Sequence, residues 1–274
     1  MSDVSITIIT PNLNGERFLE ACINSVKCQN YRNINHIIID GGSSDNSHEI
    51  LDKNNVRYEV VLGLNNYEAV DYGFSKYPGD IFCWLNSDDV FQSGALHVVA
   101  SVFHGNPNIK WLTGQPSTID EYGSIRVSNC SEYPQYGKYS CLLNEKYYLQ
   151  QESTFWRSTI YKTEYLLSDQ FKVANDFYLW SNFFKSNSLY FVPRVLSSFR
   201  VHSGDQISFK NKHQYLTEIN SINMESNFNI FNLTILKLAI KVDYLLINTP
   251  LIKHFYNRLN IRQSLLGFTD KLTF

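Results

Sequence analysis

The chain has 274 residues, of which 43% are hydrophobic and 18% charged, with a formal net charge of -2. That length and apolar content support one large α/β domain plus an appendage, or two small domains. A near-neutral balance with no long basic run excludes the electrostatic footprint of a nucleic-acid binder. Cys22, Cys28, Cys83, Cys130 and Cys141 are odd in number and form no CxxC pair, which reads as a reduced, cytoplasmic set. Met1-Ser2-Asp3-Val4 leads directly into an apolar segment without the basic and apolar regions of a secretion signal, so the protein is expected to face the cytoplasm.

Taken in order, Val4 to Thr10 is a β-branched strand, Glu16 to Cys28 a helix, Ile34 to Asp40 a strand and Asp45 to Lys53 a helix. Arg57 to Leu62 reads as a strand, Tyr67 to Tyr77 as a helix and Asp80 to Leu85 as a strand. Strands alternating with helices predict right-handed βαβ units and a parallel sheet, in which ligands sit beyond the carboxyl ends of the strands. Three loops occupy that position: Thr10-Pro11-Asn12-Leu13-Asn14-Gly15, Asp40-Gly41-Gly42-Ser43-Ser44-Asp45 and Asn86-Ser87-Asp88-Asp89. The first two can be ordinary turns with Ser44 or Asp45 as a helix cap; neither GxGxxG nor GxxxxGK[ST] is present.

The last of these loops ends the apolar run Ile81-Phe82-Cys83-Trp84-Leu85 on two adjacent carboxylates. Such a pair repels itself unless a hard divalent cation or a protein partner compensates, and Mg²⁺ or Mn²⁺ held by one or two carboxylates completes its shell with substrate phosphates. The competing reading is that Asp88 and Asp89 cap the helix that starts near Gly94-Ala95-Leu96.

Residues 111 to 150 are rich in Tyr, Gly, Ser and Asn, with short strand-like pieces such as Trp111-Leu112-Thr113, and read as a substrate-shaping region. An aromatic segment from Ser153 to Tyr161, a helix from Asp176 to Phe184 and a short strand from Leu189 to Val192 follow. Between Phe228 and Tyr256 large apolar residues surround a narrow polar stripe of Thr234, Lys237, Lys241 and Asn248. Lys237, Lys241 and Asp243 interrupt any membrane-spanning run, so the tail reads as an interfacial helix, a dimer contact or a helix packed on the parent domain.

Ile8-Ile9-Thr10-Pro11-Asn12-Leu13-Asn14, Ile39-Asp40-Gly41-Gly42-Ser43-Ser44-Asp45, Tyr67-Glu68-Ala69-Val70-Asp71-Tyr72-Gly73 and Trp84-Leu85-Asn86-Ser87-Asp88-Asp89 together resemble the family 2 glycosyltransferases of the GT-A fold. Gln151-Glu152-Ser153-Thr154-Phe155-Trp156-Arg157, Asn175-Asp176-Phe177-Tyr178-Leu179-Trp180 and Phe199-Arg200-Val201-His202 continue that resemblance in the same order. The blocks are similar to those of bacterial enzymes that build O-antigen, capsule and related surface polysaccharides. The resemblance covers about residues 4 to 208 and implies a glycosyltransferase domain over 1–208, with 1–90 binding the nucleotide-sugar and 91–208 the acceptor. A helical extension, 209–274, follows.

Carried onto this chain, the resemblance places Pro11, Leu13 and Asp40 at the nucleotide base, and Asp71, Asn86, Ser87 and Asp89 around the rest of the donor. It makes Asp88 the acid that meets Mn²⁺ or Mg²⁺, His202 a second metal or diphosphate contact, and Asp176 the general base of an inverting transfer. Gln151, Glu152 and Trp156 fall on the acceptor side, where polar groups beside aromatic faces suit sugars. Asn86 stands where an acid is usual, which removes one charge from the metal motif, and Asn175 and Asp71 also depart from the family pattern. Without the resemblance, Asp176 reads equally well as a helix cap.

The implied reaction moves a sugar from a nucleoside-diphosphate donor, a UDP-sugar first among them, to a glycan or undecaprenyl-linked saccharide at the cytoplasmic face of the inner membrane. The alternatives are a non-catalytic nucleotide-sugar or glycan-binding protein and a sugar-nucleotide nucleotidyltransferase. The latter wants a glycine-rich basic loop, and Thr10 to Arg17 offers one Gly and one Arg.

Overall fold

In a computed structural model, which describes residues 4–127, 149–167, 170–202, 211–225 and 270–271, strand and helix alternate from the start. The order is β1 (Ile6–Asn12), α1 (Glu16–Lys27), β2 (Ile34–Asp40), α2 (Ser47–Lys53), β3 (Arg57–Val60), α3 (Asn66–Lys76) and β4 (Ile81–Trp84). Then come β5 (Val90–Phe91), α4 (Ala95–Gly105), β6 (Trp111–Thr113), β7 (Ser117–Asp120), β8 (Ile125–Val127) and β9 (Thr154–Arg157). α5 (Asn175–Ser186), β10 (Leu189–Phe191), β11 (Ser197–Val201), α6 (Lys212–Glu225) and β12 (Asp270–Lys271) complete the described elements.

The main sheet has eight strands in the order β12-β10-β6-β9-β4-β1-β2-β3. β1, β2, β3 and β4 are mutually parallel, and the strand order reverses at β1, between β2 and β4. Open sheets bind ligands at such a switch point. Among the described residues only β9 runs against the rest of this sheet, pairing antiparallel with both β4 and β6. A second sheet, β5-β11-β7-β8, stands beside the carboxyl end of β4 because β5 follows the acidic loop at once.

The strands read as continuous apolar runs because both faces of the sheet are covered. Ile9, Ile37, Ile39, Phe82, Trp84 and Trp156 pack against α3, α5 and α6 on one face. Ile6, Ile8, Ile81, Cys83 and Phe155 pack against α1 and α4 on the other. This is the period-two alternation of a strand, with each neighbour sent to an opposite layer.

Several expected boundaries shift for local reasons. Asp45 does not begin α2; its carboxylate accepts from the amides of Ser47 (3.0 Å) and Glu16 (2.9 Å), tying the second loop to the start of α1. The segment from Ser153 to Tyr161 resolves into β9 preceded by a 3₁₀ turn at Gln151–Ser153. α6 lies beyond the expected boundary at 208, yet its Ile219 and Ile222 are 1% exposed and belong to the same core as α3 and α5. The first turns of the extension are therefore part of the domain. The apolar tail from Phe228 to Tyr256, with its expected membrane or dimer contact, lies outside the described residues. Among the described residues no helix is long and apolar enough to cross a membrane.

α3 can approach β1 closely because Gly73 has no side chain: a Cβ there would sit 2.7 Å from Ile9 carbons. Substituting Gly73→Ala is expected to destabilise the protein by about 1–3 kcal/mol through overpacking, measured by urea denaturation, despite alanine's better helix propensity.

Candidate active site

The site is built where β1, β2 and β4 end together. β1 outlasts β4: Ile9 pairs with Trp84, and the Ile9 carbonyl accepts from Leu85 at 3.1 Å. The Asn12 carbonyl accepts from Gly41 on the opposite side, so Pro11 turns its nitrogen toward the side where β4 has already stopped. A proline lacking an N–H is tolerated there because no strand asks for one.

Asp40 ends β2 with its side chain fully buried. Its Oδ1 accepts from the amides of Gly42 (2.9 Å) and Ser43 (2.8 Å), with His48 Nε2 at 3.0 Å, while Oδ2 accepts from Asn12 Nδ2 (2.7 Å) and Ser43 Oγ (2.7 Å). Burial opposes its ionisation, but the hydrogen bonds from Ser43, Asn12 and Gly42 outweigh it and hold the carboxyl below its usual range. The expected direct contact between Asp40 and a nucleotide base is therefore corrected: the carboxylate faces inward and shapes the loop. What the loop presents outward is Leu13, 60% exposed, and Leu62, 75% exposed, flanking Gly41 and Gly42. Leu62 was not anticipated from sequence; an apolar residue just past a strand end carries no distinguishing pattern.

At the end of β4, Asn86 joins three elements. Its Oδ1 accepts from Trp84 Nε1 at 2.8 Å, and its Nδ2 donates to Asp89 (3.2 Å) and Gln151 (3.1 Å). Gln151 also donates to the Trp84 carbonyl. Asn86 is thus engaged in linking β4 to the turn before β9. Ser87 lies against the start of α1, its Oγ 3.0 Å from where a Cβ on Gly15 would fall.

The two acids that follow diverge. Asp89 is fully buried and accepts from the Arg200 amide at 2.8 Å, so the expected contact with a donor sugar does not fit and the residue lies behind the site. Burial, with the charges of Asp88 and Glu152, pushes Asp89 well above the usual carboxylate range. Asp88 keeps 29% side-chain exposure and meets His202 Nε2 at 3.3 Å. Pairing of β11 with β5 delivers His202 there, and Arg200 secures the arrangement by donating from Nε to the Asp88 carbonyl (2.6 Å) and from Nη1 to the Asp120 carbonyl (3.0 Å). Arg200 was present in the sequence block ending at His202, but nothing in the pattern marked it as a brace.

Among the described residues no group of three or more His, Cys, Asp or Glu is arranged to hold a metal ion. Asp88 and His202 do converge as an oxygen and a nitrogen donor, with the carboxylate open to solvent. That set fits a hard divalent ion, which takes one or two protein carboxylates and leaves the remaining positions to water and phosphate.

The turn before β9 and the start of α5 carry two further carboxyls. Glu152 is 2% exposed, and its Oε1 has no hydrogen-bond partner. Burial pushes it up to about 8, with the charges of Asp88 and Asp176 adding to the effect. Asp176 is partly exposed in the first turn of α5, and its Oδ1 accepts from the Phe177 amide at 2.7 Å. Burial of the carboxyl pushes it up to about 6 against that hydrogen bond, with Glu218 contributing. Asp71 on α3 accepts from the Tyr161 hydroxyl at 2.6 Å. The expectation for Trp156 is overturned: β9 places it in the sheet at 0% exposure, packed against Phe74 and Trp180, so it cannot touch an acceptor.

The parallel sheet, its switch point and the acidic turn after β4 define a GT-A nucleotide-binding fold. Residues 7–173 match Glycosyl transferase family 2, and the chain belongs to that family. An uncharacterized glycosyltransferase of Rickettsia typhi is 25% identical over 205 residues, covering 72% of this chain and 64% of its own length. The chain thus spans less than two thirds of that relative. One from Haemophilus influenzae is 21% identical over 266 residues, covering 92% of this chain and 80% of its own. S. aureus TarS (residues 1–349) in complex with UDP shares the fold with a TM-score of 0.61 at 16% identity, over 82% of this chain and 66% of that one. Glucosyl-3-phosphoglycerate synthase of Mycobacterium tuberculosis, in complex with Mn²⁺, UDP and glucosyl-3-phosphoglycerate, does so with a TM-score of 0.57 at 12% identity, over 81% and 80%.

Stability separates the core tryptophan from the exposed acid. Trp156→Ala is expected to cost about 3–5 kcal/mol of unfolding free energy. Asp88→Ala is expected to change it by no more than about 0.5 kcal/mol, both measured by denaturant titration.

Proposed function

We propose that this protein is an inverting, divalent-metal-dependent glycosyltransferase that moves a sugar from a nucleoside-diphosphate donor, a UDP-sugar first among candidates, to a hydroxyl of a glycan or undecaprenyl-linked acceptor in surface-polysaccharide assembly. The observation that carries the reading is the convergence of the partly exposed Asp88 with His202 at 3.3 Å after β4, beside the Asn86–Gln151 bond (3.1 Å) that joins this acidic turn to the turn before β9. The UDP in the TarS structure and the Mn²⁺ with UDP in the mycobacterial synthase support the choice of donor and cation.

The nucleotide base lies against Leu13 and Leu62, which pack closely over Gly41 and Gly42 because neither glycine carries a side chain. Pro11 and Asp40 hold the two loops in register beneath it. Asp88, with His202, would hold a Mn²⁺ or Mg²⁺ ion, which when bound neutralises charge on the departing diphosphate. Asp176 accepts the proton of the attacking acceptor hydroxyl from the face opposite the leaving group, and a single displacement of that geometry inverts the anomeric centre. Glu152, held mostly protonated at neutral pH by its burial, backs the acceptor wall from within, with Gln151 beside it. Asp71 on α3, bonded to the Tyr161 hydroxyl from the segment after β9, contributes to the donor side.

Purified protein incubated with a panel of nucleotide-sugars and a lipid-linked acceptor is expected to release nucleoside diphosphate from one donor. EDTA should abolish the release and Mn²⁺ or Mg²⁺ restore it. Asp176→Asn and Asp88→Ala are each expected to lower kcat by about 10²–10⁴-fold. Donor binding with no turnover under any condition would instead identify a non-catalytic nucleotide-sugar-binding protein.

The base must be ionised to act, and Asp176 stands at about 6. The kcat/KM profile is therefore expected to rise with pH through an acid limb near 6 and to fall away below it. A limb near the ordinary aspartate value would remove Asp176 from that role.

A further inference from the structure

α5 begins without a cap of its own. The residue at its amino-terminal boundary is Ala174, whose side chain accepts nothing, although helix starts ordinarily recruit Ser, Thr, Asp or Asn to satisfy their free amides. The Phe177 amide is taken by Asp176 itself, and the turn just before the helix is held from α6. Oε2 of Glu218 accepts from the amides of Lys172 (3.1 Å), Val173 (3.0 Å) and Ala174 (3.0 Å), and its Oε1 accepts from Gln214 Nε2 at 2.9 Å. Consecutive amides turned toward one point form an anion-binding concavity, and here the chain supplies the anion itself. From the other side the Tyr67 hydroxyl donates to the Val173 carbonyl at 2.7 Å. The segment leading into Asp176 is thus held through both its amides and a carbonyl, by α6 and α3.

We propose that Glu218 is a positioning residue for Asp176: by gathering the amides of Lys172, Val173 and Ala174 it fixes the turn that presents the base. Its carboxyl also faces that of Asp176 across the helix start, so removing its charge should change the proton affinity of the base. This rests on Asp176 being the general base. The groups facing Asp176 are Tyr67 from α3, Glu152 from the 151–153 turn and Glu218 from α6, with Tyr215 of α6 facing Tyr67 and Lys172 exposed in the turn itself. Glu218 lies beyond residue 173, where the family match ends, and 209–274 was expected to be an appendage. Ile219 and Ile222, both 1% exposed, seat α6 so that it completes the site.

The test compares wild type, Glu218→Gln, Glu218→Asp and Asp176→Asn in the full chain. Glu218→Gln keeps a carbonyl oxygen for the amides and removes the charge. It is expected to move the acid limb of kcat/KM to lower pH, and a ¹³C titration of the Asp176 carboxyl should move the same way even without an acceptor. Its kcat at neutral pH should fall about tenfold with donor Kd unchanged, as expected for a base displaced by a fraction of an ångström. Glu218→Asp keeps the charge but shortens the reach. It should accelerate hydrogen exchange at the 172–174 amides and lower kcat while leaving the limb nearer wild type, and it carries the test if Glu218→Gln does not fold. An unchanged Asp176 titration and unchanged kcat in folded Glu218→Gln overturn the inference. So does a loss uniform across pH with wild-type titration. Retained turnover in Asp176→Asn overturns the base assignment instead, and with it the proposed role of Glu218 in catalysis.

Discussion

Desolvation of carboxyls is the constraint around which this site is arranged. The fold brings Asp40, Asp89, Glu152 and Asp176 close to the carboxyl ends of its strands and takes them partly or wholly out of water, where an unpaired negative charge is costly. Each is accommodated differently. Asp40 remains charged because donors from two loops converge on it. Asp89 and Glu152 are pushed toward their neutral forms, and Asp176 is raised to about 6, close enough to neutrality to exchange a proton there. Asp88 alone of the pair after β4 keeps an exposed carboxylate.

Satisfying these groups also unites parts of the chain that are far apart in sequence. Asn86 at the end of β4 bonds to Gln151 before β9, and the amide of Arg200 in β11 bonds to Asp89. Antiparallel insertion of β9 between β4 and β6 makes the first link possible; pairing of β11 with β5 makes the second. The polar network and the sheet order enforce one another. A shift of β9 by one residue would exchange Trp156 with Phe155 between opposite faces of the sheet and carry Gln151 away from Asn86.

The nucleotide half was nearly all legible in the sequence. Continuous apolar strands, helices at 3.6-residue spacing and glycine-rich or acidic loops at strand ends are local signals, and β1 to β4 follow them to within a few residues. The later half was less so. Trp156 was read as a sugar-facing aromatic because aromatic residues beside Gln and Glu suit both a sugar site and a core, and periodicity cannot choose between them. Its burial depends on β6, whose residues lie far upstream. Asp40 was read as ligand-facing for a similar reason: a carboxylate at a strand end looks the same in sequence whether its partners are a base or the amides of its own loop.

By itself the sequence determined the α/β class, the parallel order of the first strands and the positions of Asp88 and Asp176 at element ends, since each follows from neighbouring residues and the chain's short-range geometry. Tertiary structure decided which carboxyls stay charged and which turn inward. It also decided that the turn leading into α5 is held by Glu218 arriving from α6. Those outcomes depend on burial and, for Asp89 and Ala174, on partners more than forty residues away, which no local pattern encodes.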